Sequence, residues 1–343
     1  MFVHPNTKQI FEMDSEGNLF CRTGDQLDDY RCYNGCYDFA IARGVVNPVR
    51  DAYDEFYARI EPPTLSLTEI HQPWSDRTVP WRRTMLKHLG SMSGKRVLVL
   101  GGGVSYKEFY FLHLGARVVF TDLSLMAVRR AQTIFRKSEL WARHSEDIEF
   151  HAVDGLRLPF PDQSFDVIYG AKFVGFVGDL PGFLLEVSRV LKPGGICRFC
   201  DDAYSPVWEV LRRNVMHPLK ARQMSPSTLS KVRSSSTFGF REESLLSFKK
   251  PCGFNKLIFD REYFFLRIAQ IAWATIFGWN PHGQRLARPL FLAMTWVDHR
   301  FAKTKWMRRN SLALTWGFDK CGLASIWWTG CEFMRYGELE FGF

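Results

Sequence analysis

Arg96-Val-Leu-Val-Leu-Gly-Gly-Gly-Val-Ser105 is the stretch that decides the fold. Val97 to Leu100 are all apolar and run straight into three consecutive glycines. A short continuous apolar run closed by a turn signal reads as a strand buried on both faces, as in parallel sheets. Glycine behind such a strand lets the backbone turn sharply and approach a ligand closely. Tyr106 to Leu114 reads as a helix, so the loop faces a helix N-terminus. Strand, glycine loop and helix in that order favour a nucleotide-like ligand at the carboxyl edge of an open α/β sheet.

Outward from this loop, residues 81–261 alternate strand and helix patterns, the signature of a doubly wound sheet. Strands are predicted at 96–100, 117–121, 148–152, 165–169 and 194–200, with a later one near 255–260. Helices are predicted at 106–114, 123–137, 181–191 and 241–251. Residues 1–80 read as an irregular, polar N-terminal extension, with a small hairpin over Phe11 to Cys21. Within it, Asp51 to Ile60 is a helix carrying Tyr53, Phe56, Tyr57 and Ile60 on one face, a packing stripe. Residues 203–240 form an insertion bearing Arg212, Arg213, Lys220, Arg222, Lys231 and Arg233 against one acid, Glu209. It reads equally as a basic lid and as a solvated loop.

Residues 262–343 are an apolar, aromatic and helical C-terminal region holding seven of the eleven tryptophans. Tyr263 to Trp279 and Pro289 to Val297 are largely apolar, with Arg285, Arg288 and Arg300 beside them. Such helices suit either a membrane interface or a buried core. The chain of 343 residues carries a formal net charge of +9, a bias toward anionic surfaces or substrates. No apolar run reaches the roughly 20 residues that span a bilayer, and no signal-peptide pattern stands at the N-terminus. A cytoplasmic protein, peripheral on a membrane at most, is expected. The eight cysteines lack the paired spacing of a zinc site, so Cys21, Cys32, Cys36 and His4 are not read as ligands. Reduced thiols and no metal are expected.

Four motifs in order carry a resemblance. They are Val97-Leu-Val-Leu-Gly-Gly-Gly-Val-Ser105, Val118-Val-Phe-Thr-Asp122, Ala152-Val-Asp-Gly155 with Leu158-Pro-Phe-Pro-Asp-Gln-Ser-Phe-Asp-Val-Ile168, and Glu186-Val-Ser-Arg-Val-Leu-Lys-Pro-Gly-Gly195. Together they resemble the class I S-adenosylmethionine-dependent methyltransferases, in their small-molecule branch. Phe240 to Phe254 fits the helix and Gly-Phe turn before the family's sixth strand. The resemblance spans about half the chain, residues 81–261, and implies a Rossmann-like, mostly parallel, seven-stranded sheet. It implies S-adenosyl-L-methionine as cofactor and in-line methyl transfer to a small-molecule or lipid-linked acceptor, with no specific nucleic acid.

By that resemblance Gly101, Gly102 and Gly103 lie against the cofactor, and Asp122 with Leu123 meets its ribose. Asp154, Gly155 and Leu156 wall the adenine, and Gly170 lies on the sulfonium side. Lys172 would repel a sulfonium and points to substrate instead. Asp202 is the candidate base for a hydroxyl acceptor, with Asp201, His71, His113 and His217 as alternatives. Two departures stand out: Val99 replaces the family's acid in the first strand, and Ser105 replaces the loop's third glycine. That acid helps hold the cofactor's amino group or orders the loop, and Tyr106, Lys107 and Glu108 are the nearest candidates to replace it. The departures also leave open a methyltransferase-like scaffold without turnover. A nicotinamide-dependent oxidoreductase shares the glycine loop and the acid of the second strand.

Overall fold

In the computed structural model the residues described are 2–23, 26–30, 32–40, 48–59, 61–77, 79, 81–211, 214, 240–277 and 281–321. The apolar runs of the sequence become parallel strands of one sheet: β6 (Arg96–Leu100), β7 (Arg117–Asp122), β8 (Ile148–Ala152), β9 (Phe165–Ala171), β10 (Leu191–Asp202) and β11 (Phe254–Glu262). The seventh is β12 (Ala313–Lys320), and the sheet order is β11-β12-β10-β9-β6-β7-β8. β12 is antiparallel to both β10 and β11, so β11 runs with the parallel strands.

β12 corrects the expectation of a purely helical C-terminal region. Its Trp316 and Phe318 are fully buried among Phe199, Phe240 and Phe254, inside the sheet's own core. β10 is also longer than expected. It takes in the Leu-Lys-Pro-Gly-Gly turn, with a register shift between Leu191 and Ile196 against β9.

Helices cover both faces. On one face lies α5 (Leu125–Arg136), whose Ala127, Val128, Ala131, Ile134 and Phe135 form a buried stripe at helical spacing. Ser124 caps it, accepting the N–H of Ala127 at 3.0 Å. After the short α6 (Trp141–His144), α7 (Leu180–Val190) buries Phe183, Leu184, Val187 and Val190 on the other face. A 3₁₀ turn, Lys107–Phe109, followed by α4 (Tyr110–His113), fills the helix expected over 106–114.

The N-terminal extension is more ordered than its polarity suggests. The expected hairpin forms as β1 (Glu12–Met13) with β2 (Leu19–Thr23), and a third strand, β3 (Gln26–Tyr30), joins it. A second small hairpin pairs β4 (Cys32–Tyr33) with β5 (Cys36–Tyr37). The N–H of Phe39 then donates to the Ala152 carbonyl at 2.8 Å, fixing this segment to the free edge of β8. Three helices follow: α1 (Pro48–Ala58), α2 (Leu67–Ser75) and α3 (Trp81–Leu89). α2 starts on a reciprocal capping box between Ser66 and Glu69.

Of the basic insertion, α8 (Pro206–Leu211) is described. Arg212, Arg213, Lys220, Arg222, Lys231 and Arg233 lie outside the described residues, as do His217, Ile60 and Cys331. After α9 (Glu242–Leu246) and β11 come α10 (Phe265–Phe277), α11 (Pro281–Phe301) and α12 (Lys305–Asn310). Among the described residues no helix is long and apolar enough to cross a membrane, and no cluster of three or more His, Cys, Asp or Glu could hold a metal.

Candidate active site at the sheet's switch point

The strand order reverses at β6. The chain proceeds from β6 through β7 to β8 on one side, and β9 then opens the other side. Ligands in such sheets bind in the crevice beyond the carboxyl ends of the strands at this point. Gly101, just past β6, and Gly170, in β9 beside Leu100, stand at its two lips. Gly101 adopts φ +64°, a conformation that favours glycine. A Cβ there would lie 2.4 Å from Cγ of Phe173. A Cβ on Gly170 would lie 2.2 Å from Cε1 of the same ring and 3.0 Å from the Leu100 carbonyl oxygen. The Phe173 ring is thus seated across both glycines, with its other edges against Phe183 and Phe199.

The three loop glycines differ in what they meet. Gly102 packs onto the Phe120 ring, and its N–H donates to the Thr121 carbonyl at 2.9 Å, so it seats the loop on β7. Gly103 faces α1: a Cβ there would lie 3.1 Å from the Tyr57 hydroxyl.

Asp122 ends β7 and gathers the loop. Its Oδ2 accepts the Gly103 N–H at 2.8 Å, and its Oδ1 accepts the Ser124 N–H at 2.9 Å. Burial pushes its carboxyl pKa up and the Asp54 carboxylate adds to this, while the Ser124, Gly103 and Leu123 amides pull it back. Tyr53 and Tyr57 of α1 stack on each other with centroids 6.0 Å apart, and both hydroxyl pKa values are raised by burial and by the Asp122 charge. α1 is tied down by Asp54, whose Oδ1 accepts the Ser124 hydroxyl and the Met126 N–H at the start of α5. Arg50 bridges Asp54 to Asp38 through three hydrogen bonds. The aromatic stripe of α1 is therefore split. Tyr53 and Tyr57 turn toward Asp122, and Phe56 is exposed.

The N–H of Val153 donates to the Asp122 carbonyl at 2.7 Å, which brings Asp154, Gly155 and Leu156 beside the end of β7. Asp154 accepts the Leu156 N–H at 3.0 Å and pairs with Arg157. Gly155 lies over the Phe183 ring and Leu156 packs on the core below. Glu108, in the turn after the glycine loop, is 5% exposed and takes the Tyr169 hydroxyl on Oε1 at 3.4 Å.

The candidate bases scatter. Asp202 ends β10 opposite Ala313, and its side chain lies outside the described residues. Asp201 is turned into the sheet, where it accepts the Trp316 indole N–H at 3.2 Å, a structural bond rather than an acceptor site. His71 and His113 pack against each other at a tilt, ring centroids 4.2 Å apart, beside Tyr110. Lys172, at φ +62°, borders a small cleft with Trp81, Tyr263, Leu266, Arg267 and Gln270. Sequence reasoning missed Phe173, which carries no periodic signal, and Asp54, which looks like an ordinary helix acid.

The chain is similar to known methyltransferases. A family model described as a methyltransferase domain matches residues 98–199. A demethylmenaquinone methyltransferase of Parafrankia sp. is 33% identical over 176 residues, covering 46% of this chain and 67% of that protein. One from Tropheryma whipplei is 28% identical over 187 residues, covering 53% of this chain and 75% of that protein. A sterol 24-C-methyltransferase of Gibberella zeae is 33% identical over 123 residues, covering 35% of this chain and 31% of that protein. In structure the chain is similar to a Haemonchus contortus phosphoethanolamine N-methyltransferase solved with S-adenosylhomocysteine. The TM-score is 0.50 at 14% identity, over 88% of this chain and 71% of that one, which is a likeness of fold. The sequence relatives named here are methyltransferases, so the scaffold and nicotinamide-dependent readings are set aside.

Proposed function

Since the chain belongs to the class I S-adenosylmethionine-dependent methyltransferases, we propose that it methylates an apolar, lipid-linked small molecule presented at a membrane surface. The residues of the crevice fit the cofactor. Asp122 stands at the end of β7 with a half-buried carboxyl already aligned by two amides. Gly101 and Gly170 carry no side chain at the crevice lips, where the Phe173 ring lies over both. Glu108 carries a buried carboxylate oxygen, Oε2, with no hydrogen-bond partner. S-Adenosylmethionine, when bound, supplies a methyl group on a cationic sulfur.

What the chain contributes is alignment and exclusion of water. Asp122 would accept the ribose hydroxyls. Asp154, Gly155 and Leu156 would wall the adenine. Phe173 would offer an aromatic ring to the sulfonium side, where a ring face favours a cation. α1 would cover the crevice, with Tyr57 over Gly103. The cleft beside Lys172, with Trp81, Tyr263 and Leu266, holds only about 20 Å³ and would have to widen to receive the acceptor. Lys172 stands there on the acceptor's side. Asp202 would take a proton from a hydroxyl acceptor at the end of β10.

The observation that carries the membrane reading is an exposed apolar stripe on α11. Leu286, Leu290, Trp296 and Phe301 face solvent, and Trp306 does so on α12. Arg288, Arg300, Lys303 and Lys305 are exposed around them. An apolar stripe rimmed by cations is the pattern of a helix lying in an anionic membrane interface. Two relatives are named for a quinone and a sterol acceptor, which supports an apolar substrate. The chain would work at the cytoplasmic face as a peripheral protein.

The test is co-sedimentation with vesicles of phosphatidylcholine alone or with phosphatidylserine. The reading expects binding to the anionic vesicles, and its loss in a Leu286→Asp, Trp296→Asp variant that keeps its thermal midpoint. No binding by the wild-type chain refutes the membrane reading. Label carried from methyl-labelled cofactor into water-soluble rather than solvent-extractable product refutes the lipid-linked acceptor.

A further inference from the structure

β6 lacks the acid that the family places at position 99, and in this chain Val99 is buried there. The structure holds a carboxylate on the same side of the sheet. Val99 and Tyr169 are register partners in the parallel pair β6–β9, so their side chains leave the same face. Both sit in one apolar cluster with Phe111 and Trp74. The Tyr169 hydroxyl reaches out of that cluster to Oε1 of Glu108 at 3.4 Å. The Glu108 carboxylate therefore lies on the same side of the sheet as an acid at position 99 would.

Glu108 is an unusual group to leave there. It is 95% buried, Oε2 has no hydrogen-bond partner, and no cation among the described residues lies within ion-pair distance. The nearby cations are otherwise engaged or held off. Arg82 donates to the Pro73 carbonyl at 3.0 Å, and half-buried Lys107 has its pKa lowered by burial and by the Arg82 charge, against the opposing pull of the Glu108 charge. A buried carboxylate oxygen without a donor is costly, and such a group in a native protein calls for an explanation. The Lys107 carbonyl one residue earlier is fixed by the Trp74 indole N–H at 2.7 Å, which holds the turn carrying Glu108 in place.

We propose that Glu108 is the relocated acid of this site, and that its free oxygen receives the α-ammonium of the cofactor's methionine moiety. This rests on the reading of the crevice as a cofactor site and adds the group that orients the amino-acid end. A charge-assisted hydrogen bond forms only when the ligand is present, so Glu108 acts in binding and has no part in methyl transfer itself.

The test is calorimetric titration with two ligands. S-Adenosylhomocysteine carries the α-ammonium, and 5′-methylthioadenosine has the same nucleoside without it. Glu108→Gln, which keeps the shape, should weaken S-adenosylhomocysteine by about ten- to a hundredfold and leave methylthioadenosine unchanged. Adding Val99→Asp to Glu108→Gln should restore S-adenosylhomocysteine binding in part, because the acid returns to the family position. Unchanged S-adenosylhomocysteine affinity in Glu108→Gln overturns the proposal. An equal loss for both ligands also overturns it, since Glu108 would then serve the fold. Failure of the wild-type chain to bind either nucleoside would instead strike the cofactor reading, and Glu108's assignment would fall with it.

Discussion

Gly170→Ala tests the crevice geometry through stability alone. The added methyl would lie 2.2 Å from Cε1 of Phe173 and 3.0 Å from the Leu100 carbonyl oxygen. The backbone oxygen belongs to the paired strand β6 and has little room to yield. The ring is half-buried but wedged against Phe183 and Phe199. Overpacking of this kind costs about 1–3 kcal/mol. Phe173→Ala alone removes the ring and leaves a cavity, at a cost of roughly 3 kcal/mol, less as far as its partial exposure discounts it. In the double variant the methyl meets space where the ring stood. The two losses should then fall short of additivity by about 1 kcal/mol or more. Urea denaturation of the four proteins gives the cycle. Additive losses within about 0.3 kcal/mol would refute a ring seated across Gly170.

The remaining predictions concern buried charges. Arg50→Ala should destabilise the chain by about 2–3 kcal/mol in urea denaturation, because it strips the partner from the half-buried Asp38 and Asp54 carboxylates. Asp298 accepts the N–H groups of Phe264, Phe265 and Leu266 at 2.9–3.0 Å at the start of α10, so Asp298→Ala orphans three donors. A loss of about 2–4 kcal/mol is expected, against under 1 kcal/mol if that helix start is open to water. Burial raises the Asp122 pKa, and the ribose hydroxyls donate best to the ionised form. S-Adenosylhomocysteine affinity should therefore be full above that raised pKa and fall as pH drops through it, by at most about tenfold per unit. Calorimetry across pH should give a shallower profile for Asp122→Asn, and an equally steep one would assign the titration elsewhere.

The parallel half of the sheet was legible because strands buried on both faces are written as unbroken apolar runs, as in Val97 to Leu100 and Val118 to Phe120. β12 was not, for a physical reason. Ala-Leu-Thr-Trp-Gly-Phe-Asp-Lys mixes polar residues and a glycine into an antiparallel strand, and its partners lie far back in the chain, in β10 and β11. Its burial comes from pairing that local pattern does not encode. The site divides in the same way. The glycine loop and Asp122 carry local signatures. The absence of an acid at Val99 could be read in the sequence, and Glu108 stood nearby. Only burial and the contact with Tyr169 mark that carboxylate out. Asp201 misled for the converse reason: at a strand's carboxyl end it looks available, yet its partner Trp316 sits 115 positions away.

The central claim is that this switch-point crevice holds S-adenosylmethionine through Asp122. Calorimetric titration of the wild-type protein and Asp122→Asn with S-adenosylmethionine and S-adenosylhomocysteine tests it most directly. The account predicts saturable binding of both by the wild type. It also predicts affinity weaker by about ten- to a hundredfold in Asp122→Asn, with the fold intact by thermal denaturation. No heat of binding from the wild type, or equal affinity in the variant, would contradict it.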